Sequence, residues 1–350
     1  MVNSERLVIV APNWLGDAVM ALPAIADIRR HFPAARLTVA ARRSVAPLFS
    51  LVDEVDDVLE LPGRGGAGAV TTWKADSAAL AMGGFDTAVL FPNSFAAAFA
   101  ASRAQIAERW GFRTDWRRRL LTRAVPKAAG GLHQAAYYQA LVAGLGIATG
   151  PRHARVDVER GPDENRPAAR ARELLQAAGV DPLQPFVVFA PGAAYGRAKQ
   201  WLPQRFSELA RLLVRDKSWP VVLVGTKGDV PVCDEIVRGA ATVGSDLSRL
   251  VSLAGRTDLP TLAGVLALSR AVVSNDSGVM HLAGAIGVKV VAIFGATNEH
   301  RTSPLVPGPD SPAPAIVTHE VFCRPCMLRE CPIDHRCMRG VTARRVFDAL

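Results

Sequence analysis

The chain has 350 residues, 49% hydrophobic and 21% charged, with a net charge of +9 and five cysteines. That composition excludes a disordered protein, and the length exceeds one ordinary core and asks for two domains. No apolar run reaches the roughly 18–20 residues that span a bilayer. The charge favours anionic partners: phosphorylated small molecules, nucleic acid or an acidic membrane surface.

The amino terminus, MVNSERLVIVAP, runs straight into a strand. It has no basic region followed by an apolar core, so no secretion signal is read and a cytoplasmic location is expected. Residues 6–11 are apolar and extended, breaking at Pro12, and a helix is predicted from Asp17 to Phe32. Strands follow at 36–40 and 57–61, then a glycine-rich loop from Gly63 to Gly68 that contains Arg64 and has no phosphate-loop pattern. A helix near 71–82, a strand at 87–91, an alanine-rich helix after Asn93-Ser94, a short strand at 110–112 and a helix over 133–145 complete the first half. Such alternation means a mostly parallel sheet covered on both faces.

Between Gly150 and Pro167 the pattern lapses into proline, glycine and charge, which marks a domain boundary. Beyond it the alternation resumes, with strands at 186–190, 220–225 and 271–274, and helices at 167–178, 203–216, 230–241 and 259–268. The expected domains are 1–160 and 161–338. The last twelve residues, 339–350, are expected to form a helix that packs back on the first domain. VIVAPNWLGDA and VVFAPGAAYGRA echo each other, each a strand that ends in Ala-Pro and leads into a glycine turn. The fold class is therefore α/β, two Rossmann-like domains facing each other across a cleft. Ligands of such sheets bind beyond the carboxyl ends of the strands.

Three loops lie at those ends. In NDSGVMHLAGA (275–285), Asp276, Ser277 and Gly278 sit where a helix presents unpaired N–H groups, a ready site for a diphosphate. Asn275 or Asp276 could equally be a plain helix cap. His281 lies one turn in, able to reach bound phosphates or to be a satisfied core histidine. In PGAAYGRAKQWLP (191–203), Gly192 and Gly196 allow close backbone approach, while Arg197 and Lys199 bring positive charge or simply face solvent. No Gly-Lys-Ser/Thr is present, so this is not a Walker loop. Asp17, after Gly16, is a helix cap or a general base. Asp229, in VGTKGD (224–229), is a turn aspartate or a ribose ligand.

The four segments APNWLGDAVMALP (11–23), PGAAYGRAKQWLP, VGTKGD and NDSGVMHLAGA resemble, in order and spacing, those of the bacterial lipopolysaccharide heptosyltransferases, the type II branch more than type I. The resemblance implies a GT-B fold and inverting transfer of L-glycero-D-manno-heptose from its ADP-linked donor to the first heptose of the lipid A core. It implies that Asp17 is the general base of an acceptor-binding first domain, with Asn13, Trp14 and Gly16 beside it. Lys199 would neutralise the donor diphosphate. Gly192, Arg197, Asp276, Ser277, Gly278 and His281 would bind the donor with it, and Asp229 the ribose. No cofactor is implied for the transfer.

The basic run Arg113 to Arg123 reads as a solvated face, or as a contact for acidic sugars or anionic headgroups through Arg117, Arg118 and Arg119. Cys323, Cys326, Cys331 and Cys337 crowd into fifteen residues, a spacing that suits structural zinc or free thiols in a reducing compartment. Cys233, on an apolar helix face, reads as core. Two other classes compete: a nucleotide-sugar epimerase of the same fold, which needs no acceptor, and a zinc-bearing nucleic-acid binder. The second lacks aromatics interleaved with its basic run, so no nucleic-acid partner is expected.

Overall fold

A computed structural model describes residues 4–62, 69–241 and 249–350; the glycine-rich stretch 63–68 falls outside these. The chain divides into two compact units, Met1–Val156 and Asp157–Leu350. The division falls inside the proline-, glycine- and charge-rich stretch.

In the first unit the strands are β1 (Arg6–Val10), β2 (Arg36–Arg42), β3 (Asp57–Leu61), β4 (Thr87–Leu90), β5 (Glu108–Phe112) and β6 (Arg123–Val125). All pair in parallel, in the order β3-β2-β1-β4-β5-β6. The second unit carries β7 (Val187–Ala190), β8 (Val221–Leu223), β9 (Leu250–Ser252), β10 (Ala271–Asn275), β11 (Val290–Phe294) and β12 (Ala315–Thr318). These are also parallel, in the order β12-β11-β10-β7-β8-β9. Read from the first strand of each unit, the two orders are the same doubly wound one. The order reverses between β1 and β4, and between β7 and β10. At such a switch point the flanking crossovers run to opposite faces and leave a crevice beyond the strand ends.

β1, β4, β7, β10 and β11 are apolar almost throughout, as strands covered on both faces must be. Val8, Leu90, Ala98 and Leu80 anchor a core in the first unit. Phe189, Phe206, Leu209, Leu223, Val291 and Met338 anchor another in the second.

Several details differ from expectation. The helix predicted over 17–32 is two, Leu15–Met20 and Leu22–His31. Pro23 has no N–H to give a carbonyl one turn back, so the chain restarts there. β12 adds a strand beyond β11 that was not among those expected. The terminal helix Ala343–Asp348 belongs to the second unit, not the first: Val346 is fully buried in that unit's core, and the helix lies against Pro203–Lys217. Burial of Val346 and Ala343 holds the helix on that face.

Candidate active site

The site in the second unit begins with Asn275, the last residue of β10. β10 pairs with β7 so that Ser274 lies opposite Ala190. One residue further the ladder would continue, but position 191 is proline. The Asn275 side chain continues it instead. Its Nδ2 donates to the Pro191 carbonyl at 2.6 Å, and its Oδ1 accepts the Trp201 N–H at 2.9 Å. Both ends of the 191–201 loop are thus tied to one fully buried amide. Trp201 is itself buried, its ring edge-on to Phe206 and its indole N–H donating to the Val341 carbonyl at 2.9 Å.

The loop so held carries Lys199, in a short 3-10 turn Arg197–Lys199. The ammonium lies 2.7 Å from Asp276 Oδ2, which also accepts the Thr297 hydroxyl at 2.6 Å. Asp276 is only 4% exposed. A carboxylate that deep is stable because a cation and a hydroxyl answer it. The ring of Tyr195 lies 4.8 Å from Lys199 and 5.1 Å from the Arg329 guanidinium.

Neither Asn275 nor Asp276 caps the following helix, Gly278–Ile286. Its N-cap is Ser277, whose side chain makes no cap bond and instead lies 3.1 Å from the Ser274 hydroxyl. The first turn therefore presents N–H groups beside Lys199, with no side chain closing over them, a combination suited to an anion. His281 is buried in the same helix.

Asp229 is bound up in its own turn. Its Oδ2 accepts both the N–H and the hydroxyl of Thr226, each at 2.8 Å, completing a capping box. Its carboxylate lies against Gly192, where a Cβ would stand 2.5 Å from Oδ1, so glycine is required there. Arg197 is exposed. Lys199, Asp276, Ser277 and Gly278 are brought together; Asp229 and Gly192 form a neighbouring pair on the same sheet edge, at the end of β8.

The Cys-rich segment has a role the sequence did not suggest. The Tyr195 hydroxyl donates to the Met327 carbonyl at 3.1 Å, and the Ala198 N–H donates to the Arg329 carbonyl at 2.9 Å. At Gly196 (φ +155°) a Cβ would stand 2.4 Å from that same carbonyl. Arg324, with a nearly buried side chain, donates to the Gly295 carbonyl at 3.0 Å and pairs with Glu299 at 2.7 Å and Glu320 at 2.6 Å. The segment is thus laid across the Lys199 loop. All five cysteines are free thiols. Among the described residues, no three or more His, Cys, Asp or Glu side chains, those of Cys323, Cys326, Cys331 and Cys337 included, are grouped so that they could hold a metal ion. Cys337 is buried, and burial, then the neighbouring thiols, pushes its own thiol pKa up.

In the first unit, Asp17 lies in the first turn of Leu15–Met20, at the end of β1. The cap position is Trp14, which makes no side-chain cap bond and is 60% exposed, as Asn13 also is exposed. Asp17 is half-buried beside Tyr138, whose hydroxyl is held protonated well above the usual phenol range by burial and then by the Asp17 charge. Tyr137, next to it, accepts from Asn93 Nδ2 at 2.7 Å, at the end of β4. Asp17 and Asn93 thus flank the switch point of this sheet.

Arg117 departs from expectation. It is fully buried, its Nε donating to the Phe112 carbonyl at 2.9 Å and its Nη1 to the Pro92 carbonyl. Burial lowers its pKa to about 10, so it remains charged at neutral pH. It fastens the end of β5 to the 92–94 loop and offers nothing to a ligand at the surface. Arg118 and Arg119 remain exposed.

Two doubly wound sheets of one strand order, each with polar loops at its switch point, make this the fold of the GT-B glycosyltransferases. The chain belongs to glycosyltransferase family 9 (heptosyltransferase), whose profile matches residues 77–336. It is similar to the lipopolysaccharide heptosyltransferase 2 of Escherichia coli K12, 29% identical over 305 residues, 86% of this chain and 85% of that one. Similarity to the lipooligosaccharide heptosyltransferase 2 of Haemophilus influenzae is also 29%, over 86% of each chain. The structure of E. coli ADP-heptose LPS heptosyltransferase II superposes with a TM-score of 0.79 at 24% identity, covering 98% of this chain and 97% of that one.

Proposed function

We propose that the protein transfers L-glycero-D-manno-heptose from ADP-heptose to the first heptose of a lipid A-linked inner core, with inversion at the anomeric carbon. The observation that carries this reading is the Lys199 ammonium, held 2.7 Å from buried Asp276 beside the uncapped end of Gly278–Ile286. Lys199 and the first-turn N–H groups at Ser277 and Gly278 bind the donor diphosphate and stabilise the charge it gains on leaving. A carboxylate is a poor phosphate ligand, so Asp276 orients Lys199 instead of touching phosphate. Gly192, Arg197 and His281 line the donor, and Asp229 meets the ribose with the carboxylate oxygen its capping box leaves over.

On the acceptor side Asp17 takes the proton of the attacking hydroxyl, with Asn13, Trp14 and Gly16 beside the incoming sugar. The acceptor oxygen forms its bond to the anomeric carbon as the carbon–oxygen bond to phosphate breaks, and ADP departs with the electron pair. The transition state is oxocarbenium-like, by analogy with glycosidases. ADP is already a weak base, so no second acid is needed. The acceptor is lipid-linked, so the enzyme works at a membrane surface. No helix among the described residues is long and apolar enough to cross a membrane.

The test is heptose transfer from ADP-heptose to defined heptosyl-Kdo2–lipid A, followed by mass spectrometry, with Asp17→Asn alongside. The expected result is transfer by the wild type and a loss on the order of 10²–10⁴-fold in kcat for the variant. Release of ADP without acceptor, or full activity of Asp17→Asn, would overturn the reading.

A further inference from the structure

Trp116 is 98% exposed, more than any other large hydrophobic residue among those described. It sits in a left-handed conformation (φ +60°, ψ 9°), and Asp115 before it is left-handed as well (φ +48°). A tryptophan so placed carries its whole apolar ring into water, which is unfavourable for the isolated chain and needs a cause. The cause is local. Arg117 is turned inward and fixed to the Phe112 and Pro92 carbonyls, and the backbone on either side has to turn outward. The burial of that one arginine aims Trp116 away from the core and leaves Arg113, Arg118 and Arg119 exposed around it. The only acidic side chain in this turn is the exposed Asp115, so its surface carries a net excess of positive charge.

The tip is not isolated. It follows β5, and the neighbouring strands β4 and β1 are also followed by exposed aromatics, Phe95 at 47% and Trp14 at 60%. In a parallel sheet these three loops leave the same edge, the edge that also carries Asp17. Arg43, exposed after β2, lies at the same edge, 3.7 Å from Glu60. An amphipathic indole among arginines suits the boundary between water and acyl chains, where the ring enters the headgroup layer and the guanidinium groups meet phosphates.

We propose that this edge of the first unit docks on an anionic lipid bilayer, with Trp116 as the inserted anchor and Arg113, Arg118 and Arg119 as the headgroup contacts. This deepens the proposed function, because a lipid-linked acceptor would then be presented at the edge that holds Asp17. It does not depend on which sugar is transferred.

The test is flotation of the full-length protein with vesicles of phosphatidylcholine, alone or mixed with phosphatidylglycerol, in the absence of donor and acceptor. The wild type is compared with Trp116→Ser, Arg118→Glu and Arg172→Glu. The last reverses an exposed charge in the second unit and is the control for net charge. The expected result is binding to the anionic vesicles only, weakened by salt, and reduced by roughly tenfold or more in Trp116→Ser and Arg118→Glu but not in Arg172→Glu. Equal binding by all four proteins, or equal binding to neutral and anionic vesicles, would overturn it. So would vesicle binding that survives Trp116→Ser while self-association, measured by sedimentation, is lost; the patch would then be a contact between copies. Because no sugar is present, failure here is separate from failure of the transfer assay.

Discussion

Lys199 and Asp276 define each other, and their substitutions should behave differently. Lys199→Gln removes the cation beside the helix end and should lower kcat on the order of 10²–10³-fold. It also strips a buried carboxylate of its counter-ion, so the double variant Lys199→Gln/Asp276→Asn should recover stability without recovering turnover. Urea unfolding and steady-state kinetics on the wild type, Lys199→Gln and the double variant separate the two effects. Asn275 is a different matter, since no substrate needs to touch it. Asn275→Ala leaves the buried Trp201 N–H and Pro191 carbonyl without partners, at about 2–4 kcal/mol of unfolding free energy. It should also raise the donor KM by letting the Lys199 loop drift. Cys233, fully buried, has its thiol pushed up to about 12 from 9.0 by burial, then by Asp229 and Asp234. The unfolded thiol ionises first. The contribution is therefore complete below pH 9 and is lost as pH rises from there toward 12. Relative to Cys233→Ala, the wild type should lose stability over that alkaline window, measured by denaturant midpoint against pH.

Elements were legible where their apolar pattern was strong and local. Asp57–Leu61 and Leu259–Leu268 lie where the pattern puts them. β6 and β12 were not legible, because each is a short edge strand with a mixed pattern, and only its neighbour makes it a strand. The basic run 113–123 shows the limit more sharply. In sequence Arg117, Arg118 and Arg119 are three equal arginines, yet one lies in the core and two in water. What distinguishes Arg117 is a pair of carbonyls, Pro92 and Phe112, that only the fold brings to it. Arg117→Ala should therefore cost about 3 kcal/mol, from two orphaned carbonyls and a cavity, while Arg118→Ala should change stability by less than about 0.5 kcal/mol. Differential scanning fluorimetry of the two is a direct reading. The same holds for Tyr195: its motif is visible, its partners Met327 and Arg329 are more than 130 residues away and carry no signal.

At the scale of the whole chain, the echo of VIVAPNWLGDA in VVFAPGAAYGRA is the visible part of a deeper identity, the shared strand order of the two sheets. That repetition put Asp17 and the Lys199 loop at equivalent strand ends before any contact was known. It could not say that Asn275 would complete a ladder interrupted by proline, since that depends on register. Each unit also has its own core. Leu209→Ala, in the second, should cost about 2–4 kcal/mol there while amide exchange in β1 and β4 of the first is unchanged. Parallel loss of protection in both sheets would show instead that the two unfold together.

The Tyr195 hydroxyl on the Met327 carbonyl, and the Ala198 amide on that of Arg329, join a thiol-bearing segment to the loop that holds Lys199. Alkylation of Cys326 that displaces the segment should therefore also disturb the loop that carries the ammonium. The Ala198 amide is the gauge of that linkage, and its exchange rate should rise with the extent of thiol modification before any global unfolding is seen.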